Sequence, residues 1–394
     1  MMKFTVNAKE LKTMMEKVIT AINKKAALAN LTRLYFQVDE NDILKVWGTN
    51  LDHYIEVRTD MVYQTKPGVV GIDNDDVKII SKMTGEITLE DISTETEMKI
   101  NIRCGKKNVT IPKYDNTDIF LPPMDETEEK MLILKENWLL ETVTNLDVYT
   151  SDNEAQRMLQ VFNFNAKSKR IEALDGYRIG MRTLETQTIC KVPENPFDTV
   201  KIHKICVPVL KKILDKKSER EIVVTQDKKY IKVEGNNFTY IIHRVDGEYF
   251  KTEQMLNIPT NFKFVADREN ILGVMKYNAD LVKMDGNDKI PVVLHSENGK
   301  LYSYVDTKKH EVFDEIDVDE NNMSKDFYIG FNSKFLSDVF GMIDSDSPVC
   351  VGNGAKSPMI ITGNEYSFLV LPVNISGENY NEKMEKHINR DKVA

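Results

Sequence analysis

The run Ile171-Glu172-Ala173-Leu174-Asp175-Gly176-Tyr177-Arg178-Ile179-Gly180-Met181 sets a tyrosine and an arginine directly behind an Asp-Gly turn. Asp-Gly supplies the positive φ that a tight turn needs, so Tyr177 and Arg178 leave it at a fixed angle. A second Asp-Gly stands in Val245-Asp246-Gly247-Glu248-Tyr249-Phe250, and a third punctuated strand is Leu369-Val370-Leu371-Pro372-Val373. Each alone is a hairpin signal. Bond-breaking chemistry has no comparable signature. The six histidines (His53, His203, His243, His295, His310, His387) lack metal-ligand spacing, and no Gly-rich loop precedes a Lys-Ser/Thr. Asp314, Glu315 and Asp317 read as a solvated loop. No cofactor or metal is expected.

The elements that must carry these turns recur along the chain. At 394 residues the chain is too long for one ordinary domain, and 41% hydrophobic residues suffice for real cores. With 29% charged residues and no apolar run near the roughly 18 residues of a membrane span, no membrane partner is expected. Met1-Met2-Lys3-Phe4-Thr5-Val6 enters a strand pattern at once, unlike a signal peptide. Cys104, Cys190, Cys206 and Cys350 have no CxxC spacing, which predicts reduced thiols and a cytoplasmic location. A net charge of −9 argues against a protein that coats nucleic acid with its whole surface, but it leaves room for one basic face.

Three segments open with a strand and an amphipathic helix: Lys3 to Asn7 into Ala8 to Ile22, Met131 to Leu134 into Glu136 to Leu146, and Phe262 to Val265 into Asp267 to Asn278. Leu11, Met15, Val18 and Ile22 fall on one face of the first helix, at steps of three and four. A second helix recurs in each segment, at Asn74 to Met83, Val207 to Leu214 and Asn332 to Phe340. Gly105, Gly235 and Gly363 mark equivalent hairpin turns, 130 and 128 residues apart. Phe120 and Phe250 each fall 15 residues after their glycine. A period this long means duplicated domains, since solenoid repeats run roughly 20 to 50 residues. The pattern predicts an α+β chain of three units, residues 1–125, 126–255 and 256–376. A polar linker (Leu121 to Lys130) and a second (Lys251 to Asn261) join them. A charged, mobile tail without apolar periodicity occupies residues 377–394.

In this order the motifs resemble the bacterial DNA polymerase sliding clamp, the beta subunit of the replicative polymerase, whether carried by a chromosome, a plasmid or a phage. Met2-Lys3-Phe4-Thr5-Val6 is similar to the family's opening strand, and Gly48-Thr49-Asn50-Leu51 to its Gly-Thr-Asp-Leu element. Leu174 to Ile179 resembles its Thr-Asp-Gly-His/Tyr-Arg-Leu loop, and Val245 to Tyr249 its Asp-Gly-Glu/Arg stretch. Ile329-Gly330-Phe331-Asn332 and Leu371-Pro372-Val373 complete the set. The resemblance spans about residues 2 to 375. It implies a non-catalytic processivity factor: a head-to-tail homodimer of clamp domains closed into a ring, sheets outside and two helices per domain inside, around duplex DNA bound without regard to sequence. The alternative is an enzyme acting on nucleic acid and built on repeated domains.

The resemblance also implies sites. Val109 and Ile111 would face Leu281 and Val282 of a second copy; the other reading of these four is ordinary core. Lys12, Lys17, Lys24, Lys25, Arg157, Lys204 and Lys211 would line the hole, with Lys9, Lys201 and Lys212 nearby; the other reading of each lysine is an ordinary solvated surface charge. A pocket for a glutamine-hydrophobic peptide, carried by the replicative polymerase, the clamp loader and repair proteins, would be walled by Leu159, Leu174, Tyr177, Arg178, Ile179, Phe250, Met255, Asn332, Phe335, Pro358, Leu371, Pro372 and Val373. Phe250 stands where the family usually has proline, and Leu174 where it often has threonine. Family members commonly stop just after the last of these strands, so the tail is a further departure.

Overall fold

The opening strand Lys3–Asn7 alternates apolar and polar residues and is buried on both faces: Phe4 and Val6 are inside, and so is Thr5, whose hydroxyl shares a hydrogen bond with that of Thr88 at 2.9 Å. A computed structural model describes every residue except 24, 116–121, 123–127, 288, 308, 320–325, 376–378 and 392–394. Lys24, Phe120 and most of the first linker lie outside the described residues. The chain divides into two compact units, residues 1–144 with 185–246 and residues 145–184 with 247–394.

The first unit holds two sheets. One runs Val62–Lys66, Lys3–Asn7, Glu86–Asp91, Lys99–Cys104, Lys107–Pro112 in spatial order. The other runs Thr188–Ile189, Glu129–Lys135, Glu221–Gln226, Tyr230–Glu234, Phe238–His243, His53–Thr59, Leu44–Thr49, Arg33–Val38, Gly68–Asp73. Here Phe238–His243 pairs with His53–Thr59, far away in sequence. Tyr35, Trp47, Tyr54, Tyr230 and Ile241 form a cluster around that seam, and His53 Nδ1 and Tyr240 Oη share a buried 2.8 Å hydrogen bond.

The second unit repeats the arrangement. One sheet runs Val161–Asn165, Arg170–Leu174, Arg178–Thr183, Tyr366–Val370, Met359–Thr362, Val349–Gly352, Phe262–Val265. The other runs Glu311–Ile316, Lys300–Asp306, Pro291–Glu297, Tyr328–Asn332. The seam between Arg178–Thr183 and Tyr366–Val370 again joins segments far apart in sequence. Every one of these strand pairs is antiparallel.

Eight α-helices lie among the described residues: α1 (Ala8–Val18), α2 (Asn74–Ile80), α3 (Glu136–Leu146), α4 (Val207–Ile213), α5 (Thr252–Leu256), α6 (Arg268–Asp285), α7 (Ser333–Met342) and α8 (Tyr380–Asp391). At α1, α2, α6 and α7 the start follows from a side-chain oxygen that satisfies free N–H groups. Asn7 accepts from the Lys9 N–H, Asp73 from Asp75, Asp267 from Asn270, and Asn332 from both Lys334 and Phe335. Leu11, Met14, Met15 and Val18 bury one stripe of α1, which packs against α4.

Several helix boundaries differ from the sequence reading: α2 ends at Ile80 and not at Met83, α7 runs Ser333–Met342, and the two largest differences fall on α1 and α6. The first helix stops at Val18 and tightens into a single 3₁₀ turn, Ile19–Ala21, before Ile22 turns extended. Conversely α6 continues past Asn278 to Asp285, because Ala279 to Asp285 holds no breaker until Gly286 adopts the left-handed conformation that ends helices.

The tail is a correction. Expected to be mobile and without apolar periodicity, it forms α8 instead. Tyr380, Met384 and Ile388 recur every fourth residue, and each is at most 5% exposed. They pack on Val293, Tyr302 and Tyr304, with Phe313, Tyr328 and Ile375 at the margin. Burying side chains of this size stabilises by roughly 1.5–3 kcal/mol each. That is ample to hold a 12-residue helix that would be marginal alone.

Candidate functional site

The Asp-Gly turn that follows Arg170–Leu174 is held by its own aspartate. Asp175 Oδ1 accepts the Tyr177 and Arg178 N–H groups at 2.9 and 3.0 Å, and Gly176 takes φ 95°. The two side chains then part company. Tyr177 is 64% exposed, whereas Arg178 is buried. The Arg178 guanidinium donates to Asp175 (2.9 Å), Asp338 (2.7 Å) and the Val148 carbonyl (2.7 Å), and it lies over the Phe335 ring at 4.2 Å. Burial opposes its charge, but the two carboxylates outweigh that and raise its pKa. Leu371 joins the turn by donating its N–H to the Tyr177 carbonyl at 2.9 Å.

A second element comes in through α5. Thr252 donates to Glu172 at 2.8 Å and accepts from Arg170 at 3.0 Å, and Arg170 forms an ion pair with Glu172. Glu172 is fully buried; burial pushes its pKa up, and Arg170 and Thr252 only partly offset the shift. This cluster fixes α5 so that Met255 and Gln254 project toward the turn. Together they outline a groove of about 880 Å³ within the second unit.

Of the residues expected from sequence, Leu159, Leu174, Tyr177, Arg178, Ile179, Phe250, Met255, Pro358 and Leu371 line this groove. Tyr177, Phe250, Met255 and Leu371 are each more than a third exposed, an unusual outlay of large apolar side chains at one spot. The others lie apart from the lining. Asn332 is engaged in capping α7, and with Phe335 it borders a cavity of about 450 Å³ that also meets Lys276, Lys283 and Lys334. Phe335 nevertheless sits 6.2 Å from the Tyr177 ring. Pro372 and Val373 border a third cavity, about 460 Å³, beside Tyr328 and Ile375.

Gln156, Met158, Gln254 and Ile258 also line the groove without having been singled out in the sequence, as does Leu369, which the sequence marked only as part of a punctuated strand. The first four flank named residues, but no motif marks them. Arg157, expected among the DNA-facing cations, lies here too.

The remaining cations lie in the first unit. Lys12 and Lys17 stand on α1, Lys25 is exposed beyond it, Lys204 precedes α4, and Lys211 is exposed in its last turn. Lys12 sits 3.8 Å from Glu16. Lys201 differs from the expectation of a surface charge. It is 1% exposed and donates to the Phe197 and Thr199 carbonyls at 2.9 and 3.1 Å, and burial lowers its pKa to about 8. Val109 and Ile111 lie on Lys107–Pro112, an edge strand, with Ile111 buried. Leu281 is half-buried and Val282 buried on α6.

Antiparallel sheets with few helices, and a groove lined by exposed apolar side chains, define a chain with the fold of the bacterial sliding clamps. No protein-family model matches the sequence. The beta sliding clamp of Staphylococcus aureus is 24% identical over 391 residues, covering 95% of this chain and 99% of its own length. That of Staphylococcus epidermidis is 23% identical over 392 residues. Among solved structures, the DNA polymerase sliding clamp of Bacillus subtilis superposes with a TM-score of 0.82 at 18% identity, over 95% of this chain and 99% of that one. A DNA polymerase III beta subunit from Eubacterium rectale gives 0.79 at 23% identity, over 95% and 100%. In sequence and in fold, the chain is similar to the bacterial sliding clamps along nearly its whole length.

Proposed function

We propose that the chain is a DNA sliding clamp: a non-catalytic processivity subunit that closes as a head-to-tail dimer around duplex DNA and tethers a replicative polymerase and other partners through the apolar groove. One observation carries the ring. In each repeat the strand after the hairpin glycine seeks the third strand of a preceding three-strand meander. Phe238–His243 takes His53–Thr59, and Tyr366–Val370 takes Arg178–Thr183. Two counterparts are left as sheet edges: Lys107–Pro112, which follows Gly105, and Glu311–Ile316, which ends the third meander. Edges that repeat a seam already made twice call for the same seam between two copies, a heterologous contact that in this reading closes after two subunits and leaves no open edge. Three clamp domains per chain follow from the same repeat. Val109 and Ile111 would then belong to one side of the interface, and Leu281 and Val282, on α6, to the other.

The groove supports partner binding. A hydrophobic peptide burying about 300 Å² of apolar surface gains about 7 kcal/mol at roughly 25 cal/mol per Å². Ordering and association take back several kcal/mol, which leaves about micromolar affinity. Clamp relatives do not favour the reading of a repeat-built enzyme. The test is topological. Protein loaded on a closed DNA circle should co-migrate with it in gel filtration and be released when the circle is cut once. Equal retention on both forms defeats the proposal.

A further inference from the structure

The open edge strand Glu311–Ile316 is held from both sides. On one side it packs against α6, whose Asn270 accepts the Asp317 N–H at 3.0 Å, and Ile316 is buried. On the other side lies α8. His387 stacks on Phe313, ring centroids 5.1 Å apart and planes 11° apart, and its Nε2 lies 3.3 Å from Glu311. Glu311 in turn accepts the Tyr304 hydroxyl at 2.6 Å, and Tyr304 meets Tyr380 edge to face. Lys383 pairs with Asp306 at the other foot of the same hairpin. The helix thus clamps both strands next to their turn and covers Tyr302, Tyr304 and Phe313, which would otherwise form an open aromatic face.

A strand pairs along its edge only if its backbone is already extended and in register. An edge strand with one uncovered aromatic face is instead prone to twist, fray or stick to other surfaces. We propose that α8 is an interface brace: by covering the outer face of the third meander it holds Glu311–Ile316 ready to pair with Lys107–Pro112 of a second copy, so that ring closure depends on the C-terminal helix. The proposal rests on the ring reading above, and the occupant of the edge is a second copy of this chain. Among the described residues none of α8 lines the peptide groove, so the helix acts on closure and leaves partner binding alone.

The test uses the full chain carrying Met384→Glu with Ile388→Glu, which puts two charges where α8 is buried. A milder variant, Lys383→Ala with His387→Ala, removes the contacts to Asp306, Glu311 and Phe313, with those to Tyr304 and Tyr380, and leaves the apolar stripe of α8 in place. Sedimentation gives the dimer dissociation constant, and amide exchange reports on 311–316 and on 380–391. In the first variant, loss of protection over 380–391 should come with faster exchange over 311–316 and a dissociation constant raised at least about tenfold, 1.4 kcal/mol. The milder variant should shift both in the same direction by less. Binding of a glutamine-hydrophobic peptide to the groove should stay unchanged, which also reports that the unit is folded. A detached helix with an unaltered dimer constant overturns the brace alone. A parent chain that stays monomeric at micromolar concentration overturns the ring reading, and the brace with it.

Discussion

Leu371 and Met255 approach the groove from different elements, a strand end tied to the Tyr177 carbonyl and the short helix α5. Both are large, apolar and about two-fifths exposed, the condition of an anchor wall waiting for a partner. Losing one such anchor contact should cost about 2 kcal/mol, roughly thirtyfold in affinity. Leu371→Ala and Met255→Ala are therefore each expected to weaken a glutamine-hydrophobic peptide by that factor in a titration, with the dimer constant unmoved. Parent-like binding in both would displace the site from this groove. Arg178 contributes in another way. Its donors already serve Asp175, Asp338 and Val148, so it shapes the wall by fixing the turn and the Phe335 ring beneath it.

α5 is positioned by a polar cluster that the sequence does not advertise. Arg170, Glu172 and Thr252 are ordinary residue types with 80 positions between the last two, and only the fold makes them neighbours. What the sequence displayed well was local: the strand Lys3–Asn7, the helix α3 and the turn Asp175-Gly176 all obey short-range rules of alternation, spacing and φ. The glycine-marked hairpins were legible because a repeat shows itself twice over. The division of the thirteen expected pocket residues among three cavities was not, since it depends on which side of a backbone each chain leaves. Nor was α8, whose three apolar positions in a charged stretch look like solvent-exposed tail until a partner sheet is present.

The buried carboxylate at this element gives a pH signature. With its folded pKa raised, Glu172 binds a proton more readily in the folded chain than in the unfolded one. Its favourable contribution is full below the ordinary glutamate value of 4.5 and is lost as pH climbs through the raised folded value. Denaturation of the parent and of Glu172→Gln across that window should show the parent losing stability relative to the variant as pH rises above 4.5. A difference that stays flat with pH would mean that Glu172 is not a titrating strut for α5.

A molecule with a net charge of −9 can hold DNA only where its cations gather. α1 and α4 pack together and bring Lys12, Lys17, Lys204 and Lys211 onto neighbouring elements, with Lys25 exposed close by in sequence. A clamp must slide, so these contacts should be phosphate contacts that carry no base information. Each phosphate neutralised releases counterions and steepens the dependence of log affinity on log salt by about 0.9. Lys25→Glu with Lys211→Glu removes two such contacts and adds repulsion. The expected result is weaker association with duplex DNA at every salt concentration, and a slope shallower by about two. The dimer constant should be unchanged, because neither residue lies on Lys107–Pro112 or Glu311–Ile316. An unchanged salt slope in the double variant would place the DNA-facing surface away from α1 and α4, and the ring would have to present another face to the duplex.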